Sequence, residues 1–505
     1  MRAQHLDIYF TSDIHGYIYP TSYRSQQEED IGLFKCANHF HKNGNSLIID
    51  GGDILQGSAF GAYCHDTLGT ARPLAEIMNL CGYDYITLGN HDFNFGMDYL
   101  TKYISNLNAF CVCQNITDCT GKVLFPSRIH TLESGLRVGI VGIVTDHVNL
   151  WEKPKNIEGI QIIDPFKAAQ KALEDLRGEV DLTVCIYHGG FERDLETGHI
   201  LSTSTENIAY RICEELDFDI LLTGHQHLSI RGQLIHGTYV VQPMDQGREY
   251  HHIHVVVEEG HVICTSERGQ AGGVCSPELL DRFASIEAGA QEWLDQEAGR
   301  LPHPLLPAAP LIMAAEGNEI ANLFNQIQLE YSGAQISAVS LANEVAGFPQ
   351  TVRRRDILTT YPYTNSLVVL EITGKVLKQA IERSAEYFTI DEQRRLSVSG
   401  RFLRPKVEHY NYDYFAGVKY TIDVSLPIGN RVTNLTYQGK PVQEKDHFTI
   451  CINNYRASGA GGYPFYQECP VISELNREMS ELILEYFENR DIVLPSEDRE
   501  YSVIW

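Results

Sequence analysis

The chain has 505 residues, with 43% hydrophobic, 10% aromatic and 21% charged positions. That length exceeds one ordinary core and predicts at least two domains. Its 40 basic and 66 acidic residues give a net charge of −26, which argues against a nucleic-acid polymer as partner and requires any phosphate site to supply its own positive charge.

The N-terminus, "MRAQHLDIYFTSD", lacks a leader-like apolar segment, and no stretch reaches the ~18 consecutive apolar residues of a membrane span. With twelve cysteines and no leader, the expectation is a cytoplasmic protein with reduced thiols; a trimmed mature form would instead be extracellular or cell-wall. Cys111, Cys113 and Cys119 are close in sequence, but their spacing is incomplete for a zinc knot.

In chain order, "LDIYFTSD", "SLIIDGGD", "YDYITLGNHD", "LRVGIVGIVTDH", "VDLTVCIYHGG" and "FDILLTGHQH" share one form: a short apolar run, then polar or glycine punctuation. Helical patterns lie between several of them, as at 165–176 and 206–216. Strands buried on both faces and separated by helices predict a layered α/β domain over residues 1–275. Residues 276–301 carry Ser276 as N-cap, Pro277 in the first turn and apolar residues at helical spacing, predicting a linker helix stopped by "LPHPLLPAAP". Residues 302–505 mix helices (318–331, 375–387) with strands ("NSLVVLEIT", "VKYTIDVSL", "FTICINN"), predicting an α+β domain.

Five of these six runs end in chemistry-bearing residues: Asp13 and His15; Asp53; Asn90 and His91; His188; His225 and His227. Ligands of open α/β sheets bind outside the carboxyl ends of the strands. One Asp or His there is most simply a turn or cap residue; five strand ends that agree are not. All supply oxygen or imidazole donors, which suits two divalent ions (manganese, zinc, iron or cobalt) sharing a carboxylate, roughly 3.5–4 Å apart. Such a site performs hydrolytic displacement at phosphorus and provides the missing positive charge.

These five blocks, in this order, resemble the calcineurin-like metallophosphoesterases. "YPYTNSLVVLEITGKVLKQAIERSAEYF", "HYNYDYFAGVKYTIDV" and "NNYRASGAGGYPFY" are similar to the C-terminal domain of the 5′-nucleotidase family, nearest its 2′,3′-cyclic-nucleotide 2′-phosphodiesterase/3′-nucleotidase branch. The implied fold is a layered β-sandwich flanked by helices, a helical linker, and an α+β substrate-binding domain. The resemblance implies that Asp13, His15, Asp53 and His227 bind one metal, and that Asp53, Asn90, His188 and His225 bind the other, with Asp53 bridging. It implies that His91 faces the phosphate as the catalytic imidazole; Asp92 is read as a loop-orienting acid. Where 5′-nucleotidases pair that histidine with an Asp, this chain has Asn94, as in the cyclic phosphodiesterase branch. A phosphate-holding Arg of the family is replaced in "LANEVAGFPQ" by Asn343, and 353–355 ("RRR") reads as a solvated face. Tyr412 and Tyr455 match positions that stack a nucleobase, beside a loop with Ser458 and Gly459 that allows close approach. The implied function is hydrolysis of small nucleotide phosphoesters, with no membrane partner. Rival readings are a 5′-nucleotidase or nucleotide-sugar hydrolase, and a metal-dependent nucleotide-binding protein without turnover.

Overall fold

The computed structural model describes residues 3–505 except 25–26, 201–204, 364, 405–406, 476 and 498. The chain divides into two compact units, Met1–Trp293 and Leu294–Trp505.

The first unit is built on two six-stranded sheets. In spatial order, the first contains His261–Gln270, Glu249–Glu258, Gln4–Thr11, Ser46–Asp50, Tyr85–Ile86 and Phe110–Cys111. The second contains Ile230–Ile235, Thr238–Gln242, Ile220–Thr223, Leu182–His188, Arg137–Val144 and Arg128–Thr131. The strands that begin the polar loops pair in parallel: Gln4–Thr11 with Ser46–Asp50, then Tyr85–Ile86; and Arg137–Val144 with Leu182–His188, then Ile220–Thr223. Parallel pairing sends all their carboxyl ends to one edge. Leu6, Ile8, Phe10, Ile49 and Ile253 of the first sheet share one core with Ile140, Val184, Ile186 and Leu222 of the second. The alternate residues Val141, Cys185, Tyr187 and Leu221 pack outward with residues of helices Pro165–Leu176 and Ala209–Glu215. This burial on both faces explains the near-continuous apolar runs. Asp164 caps Pro165–Leu176 by accepting from the N–H groups of Phe166 and Lys167.

The helix expected over 276–301 spans Pro277–Leu294 only. Glu297–Arg300 is instead a strand paired with Thr351–Arg353, because backbone pairing in the second unit overrides the helical preference of a short segment already weakened by Gly299. No helix among the described residues is long and apolar enough to cross a membrane, and all twelve cysteines are free thiols.

The second unit holds a five-stranded sheet ordered Asp413–Ala416, Ile336–Ser340, His447–Asn453, Leu367–Thr373 and Val471–Leu475. A four-stranded sheet ordered Lys440–Pro441, Val432–Tyr437, Lys419–Asp423 and Tyr501–Ile504 lies in the same unit. Helices Glu319–Ser332 and Gly374–Ala385 are capped by Asn318 and Thr373 and bury Phe324, Ile327, Leu377 and Ile381 in the core.

Candidate active site

The backbone at the strand ends is unusual before any side chain is considered. Asp13, His15, Asp53, His225 and His227 all have positive φ, between 51° and 70°. Non-glycine residues seldom adopt this region, and such conformations cluster where surrounding structure imposes them for a purpose. Two glycines allow the close approach. A Cβ on Gly89 would lie 2.1 Å from Asp53 Oδ1, and one on Gly224 would lie 2.6 Å from Asp13 Oδ2.

The side chains converge with one donor atom each turned inward. His15 Nδ1 is tied to Gln56 O at 2.9 Å, and His188 Nδ1 to Gly51 O at 2.7 Å. His227 Nδ1 lies 3.6 Å from Asp245. Each imidazole therefore presents Nε2, and an outer partner of this kind sets which nitrogen is free for a metal. His15 Nε2 is 3.1 Å from His227 Nε2 and 3.9 Å from both Asp13 Oδ1 and Asp53 Oδ2. His188 Nε2 lies 3.1 Å from Asp53 Oδ2 and 3.9 Å from Asp13 Oδ1. The other carboxylate oxygens face outward: Asp53 Oδ1 accepts from His91 N at 2.7 Å, and Asp13 Oδ2 accepts from Ser12 Oγ at 2.5 Å. Two sets, Asp13/His15/His227 and Asp13/Asp53/His188, have ligand atoms mutually within 4.8 Å. The resemblance implies Asp53 alone as the shared carboxylate; Asp13 Oδ1 also reaches histidines of both sets.

Three further observations fit divalent metals. Asp53 Oδ2, Asn90 Oδ1 and His188 Nε2 are buried with no well-directed hydrogen bond, a costly arrangement unless another partner binds them. Burial pulls the His188 and His227 imidazoles toward neutrality. The Asp53 and Asp13 carboxylates around His188 and Asp13 beside His227 more than offset this, lifting them to about 10 and about 9. The histidines in turn overcome the effect of burial on Asp13 and hold its carboxyl below the usual carboxylate range. Protons here occupy the place of a stronger cation.

His225 is not in either set. Its Nε2 is held by Glu206 at 2.8 Å and its ring stacks on Trp151. The ring centroid lies 5.5 Å from that of His188, and Nδ1 is the nitrogen outside the Glu206 contact.

The loop carrying Asn90 and His91 is a short 3-10 turn, Asn90–Phe93. Asp92 is buried, and its carboxylate accepts the N–H groups of Asp53, Ile54, Leu55 and Gly89 at 2.9–3.1 Å. It staples the Asp53 loop to the Asn90 loop, the orienting role expected of it. Burial pushes its carboxyl up to about 6. His91 Nδ1 meets Asn94 Oδ1 at 2.8 Å, so Nε2 is the ring nitrogen outside that bond. Asn94 Nδ2 donates to Glu152 Oε2 at 2.7 Å. Glu152 is 8% exposed and is itself held by Lys153 N and Asn156 Nδ2. Glu152 thus turns the Asn94 carbonyl toward His91. No motif spacing marks Glu152; it lies 58 residues from Asn94 in the chain.

The second unit alters the substrate-binding picture. Tyr412 is 2% exposed, donates to Ala314 O, and packs against Tyr387, Phe388 and Tyr414. It is a core residue with no open face for a base, which corrects its expected stacking role. Tyr410 is part-exposed and Tyr455 is 42% exposed. Arg456, which no sequence motif marks, joins them. It is 1% exposed, forms two bonds to Asp413 at 2.9 and 2.7 Å, and donates to Tyr410 O and Ala460 O. Its Cζ lies 5.7 Å from the Tyr455 ring centroid. Ser458 is exposed with its hydroxyl on Tyr455 O, and Gly459 adopts φ 82°. Asn343 Nδ2 donates to Val407 O, and its Oδ1 is buried without a partner. Within 353–355 only Arg353 is exposed; Arg354 and Arg355 are largely covered and pair with Glu488 and Asp295, since carboxylates nearby in the fold offset their charge.

Comparison with known proteins agrees with this architecture. The profile of calcineurin-like phosphoesterases matches residues 6–229, and that of the 5′-nucleotidase C-terminal domain matches 308–468. A Staphylococcus aureus protein assigned as a 5′-nucleotidase, crystallised with alpha-ketoglutarate, is 33% identical with a TM-score of 0.75, covering 99% of this chain and 100% of that one. The trifunctional nucleotide phosphoesterase protein YfkN of Bacillus subtilis is 25% identical over 99% of this chain, which spans 39% of its length. A 2′,3′-cyclic-nucleotide 2′-phosphodiesterase/3′-nucleotidase of Yersinia enterocolitica is 25% identical over 88% of this chain and 79% of its own. With a parallel-stranded sandwich, its inward-turned Asp and His donors and both profiles in one order, the chain belongs to the calcineurin-like metallophosphoesterases that carry a 5′-nucleotidase C-terminal domain, a family of metal-dependent phosphoric ester hydrolases.

Proposed function

We propose that this protein hydrolyses nucleotide phosphoesters with two divalent ions, and that 2′,3′-cyclic nucleotides are its preferred substrates. The buried atoms Asp53 Oδ2, Asn90 Oδ1 and His188 Nε2, none with a well-directed hydrogen bond, carry the reading. Asp13, His15, Asp53 and His227 would hold one ion; Asp53, Asn90, His188 and His225 would hold the other. Ions bound there supply an activated nucleophile and neutralise phosphoryl charge. His91, with Nδ1 engaged by Asn94, uses Nε2 to meet the phosphoryl group and exchange a proton with the leaving oxygen. Tyr455 and Tyr410 offer stacking faces for the nucleobase, each worth roughly 1–3 kcal/mol.

The cyclic preference rests on Asn94. An amide orients His91 but stabilises its protonated form less than a carboxylate would, and ring opening of a strained diester tolerates this better than hydrolysis of a monoester. A phosphate-release screen over 2′,3′-cyclic, 3′- and 5′-nucleotides, with manganese and with chelator, tests both parts. Cyclic substrates should lead in kcat/KM. A preference for 5′-AMP of tenfold or more, roughly 1.4 kcal/mol, overturns the substrate assignment. Turnover unaffected by chelator overturns the metal assignment.

A further inference from the structure

A second donor cluster lies on the first sheet, away from the strand ends. Along Glu249–Glu258, His251, Ile253 and Val255 are buried, while the intervening His252 and His254 are part-exposed on the opposite face, as the strand period of two requires. Asp7 on Gln4–Thr11 is the register partner of His254. Its Oδ1 lies 3.1 Å from His252 Nε2 and 2.7 Å from His254 Nδ1, and the three donor atoms are mutually within 4.8 Å. We propose that Asp7, His252 and His254 form a further site for a divalent transition-metal ion, sharing no residue with the phosphoesterase centre.

Four features support it. Two imidazoles and a carboxylate are a donor set for zinc and its neighbours. Ligand bonds of about 2.0–2.2 Å place neighbouring donor atoms about 3–3.5 Å apart; here Asp7 Oδ1 lies 3.1 and 2.7 Å from the two imidazole nitrogens. The set is preorganised: two adjacent strands fix its register, and Tyr9 stacks on the His252 ring with centroids 4.2 Å apart. The charge is also uncompensated. Among the described residues, Asp7 pairs only with these histidines, and Glu267, the cross-strand partner of His252, adds a second carboxylate; neither has a Lys or Arg partner. A bound ion would cross-link the two strands.

The test is calorimetric titration with Zn²⁺ of protein already loaded with its catalytic metal. The comparison is with His252→Ala/His254→Ala and with Asp7→Asn. Wild type should bind one more Zn²⁺ per chain than the double variant, and Asp7→Asn should weaken that site at least tenfold. Zn²⁺ should raise the melting temperature of wild type alone, and phosphoester turnover should be equal in all three. Equal Zn²⁺ stoichiometry in wild type and double variant overturns the proposal. Should the double variant not fold, His254→Gln, at the most exposed of the three side chains, replaces it, and retention of the extra ion by that variant overturns the proposal equally.

Discussion

Arg456→Met removes a buried side chain that ties the Tyr410 and Tyr455 segments, proposed to stack the base, to the core of the second unit. The guanidinium makes five bonds: two to Asp413, and one each to Asn411 Oδ1, Tyr410 O and Ala460 O. Asp413 is 2% exposed. Without its partner it becomes an uncompensated buried carboxylate, a loss of about 3–5 kcal/mol. For a unit of this size, that lowers the melting temperature by roughly 6–20 °C. Adding Asp413→Asn should recover part of the loss, because a neutral amide costs less to bury. The functional effect follows from the carbonyls. With Tyr410 O and Ala460 O released, the two tyrosines lose their relative placement. KM for nucleotides should rise roughly 5- to 150-fold, the equivalent of 1–3 kcal/mol of stacking, while KM for bis-p-nitrophenyl phosphate, which has no nucleobase, should not change. The assays are urea denaturation and paired steady-state kinetics. A stability loss below about 1 kcal/mol, the range of an exposed pair, with unchanged nucleotide KM would refute the reasoning. An equal rise in KM for both substrates would place Arg456 in phosphate positioning instead.

Asn94→Asp should lower kcat by about tenfold or more, toward the roughly 10²–10⁴-fold that a general acid–base group supplies, because it sets two carboxylates at the 2.7 Å separation now held by an amide–carboxylate bond; adding Glu152→Gln should restore much of the loss, and a fully active single variant would show that Glu152 does not act on His91 through residue 94. Metal loading near pH 7 should release about two protons, since His188 and His227 are held at about 10 and about 9 and must be neutral to ligate. Affinity therefore rises with pH, as calorimetry in buffers of different ionisation enthalpy will read. Both values stand above the unfolded histidine value, so the stability these groups give the metal-free protein is fully present below about pH 6.5 and lost as pH rises through 9–10. Tyr455→Ala should raise KM for nucleotides and leave p-nitrophenyl phosphoesters unchanged; an equal effect on both places the base elsewhere. Asp92→Ala leaves four backbone N–H groups without their acceptor and should weaken metal binding about 10- to 100-fold, as loss of an outer-shell partner does; unchanged affinity would show that the Asp53 loop holds itself.

What the chain determines by itself is local. Apolar runs ending in Asp, Asn, His and glycine mark strands and the loops after them, and parallel pairing then carries those loops to one edge. Asp13, His15, Asp53, Asn90, His188 and His227 were legible for that reason: the information lies within a few residues of each strand end. The tertiary structure decided everything that depends on a partner far along the chain. Glu152 acts on His91 through Asn94, and nothing near Glu152 announces it. The Asp92 staple and the sharing of Asp13 between both donor sets depend on loops some 40 to 200 residues apart meeting in space. His252 and His254 gain a carboxylate only because Asp7 is nearly 250 residues away in sequence and directly opposite in register. Tyr412 illustrates the same limit at short range. Strand alternation puts Tyr410, Tyr412 and Tyr414 on one face, but His409–Asn411 is a 3-10 turn and the strand begins only at Asp413. The turn breaks the period of two, leaving Tyr410 part-exposed and Tyr412 in the core.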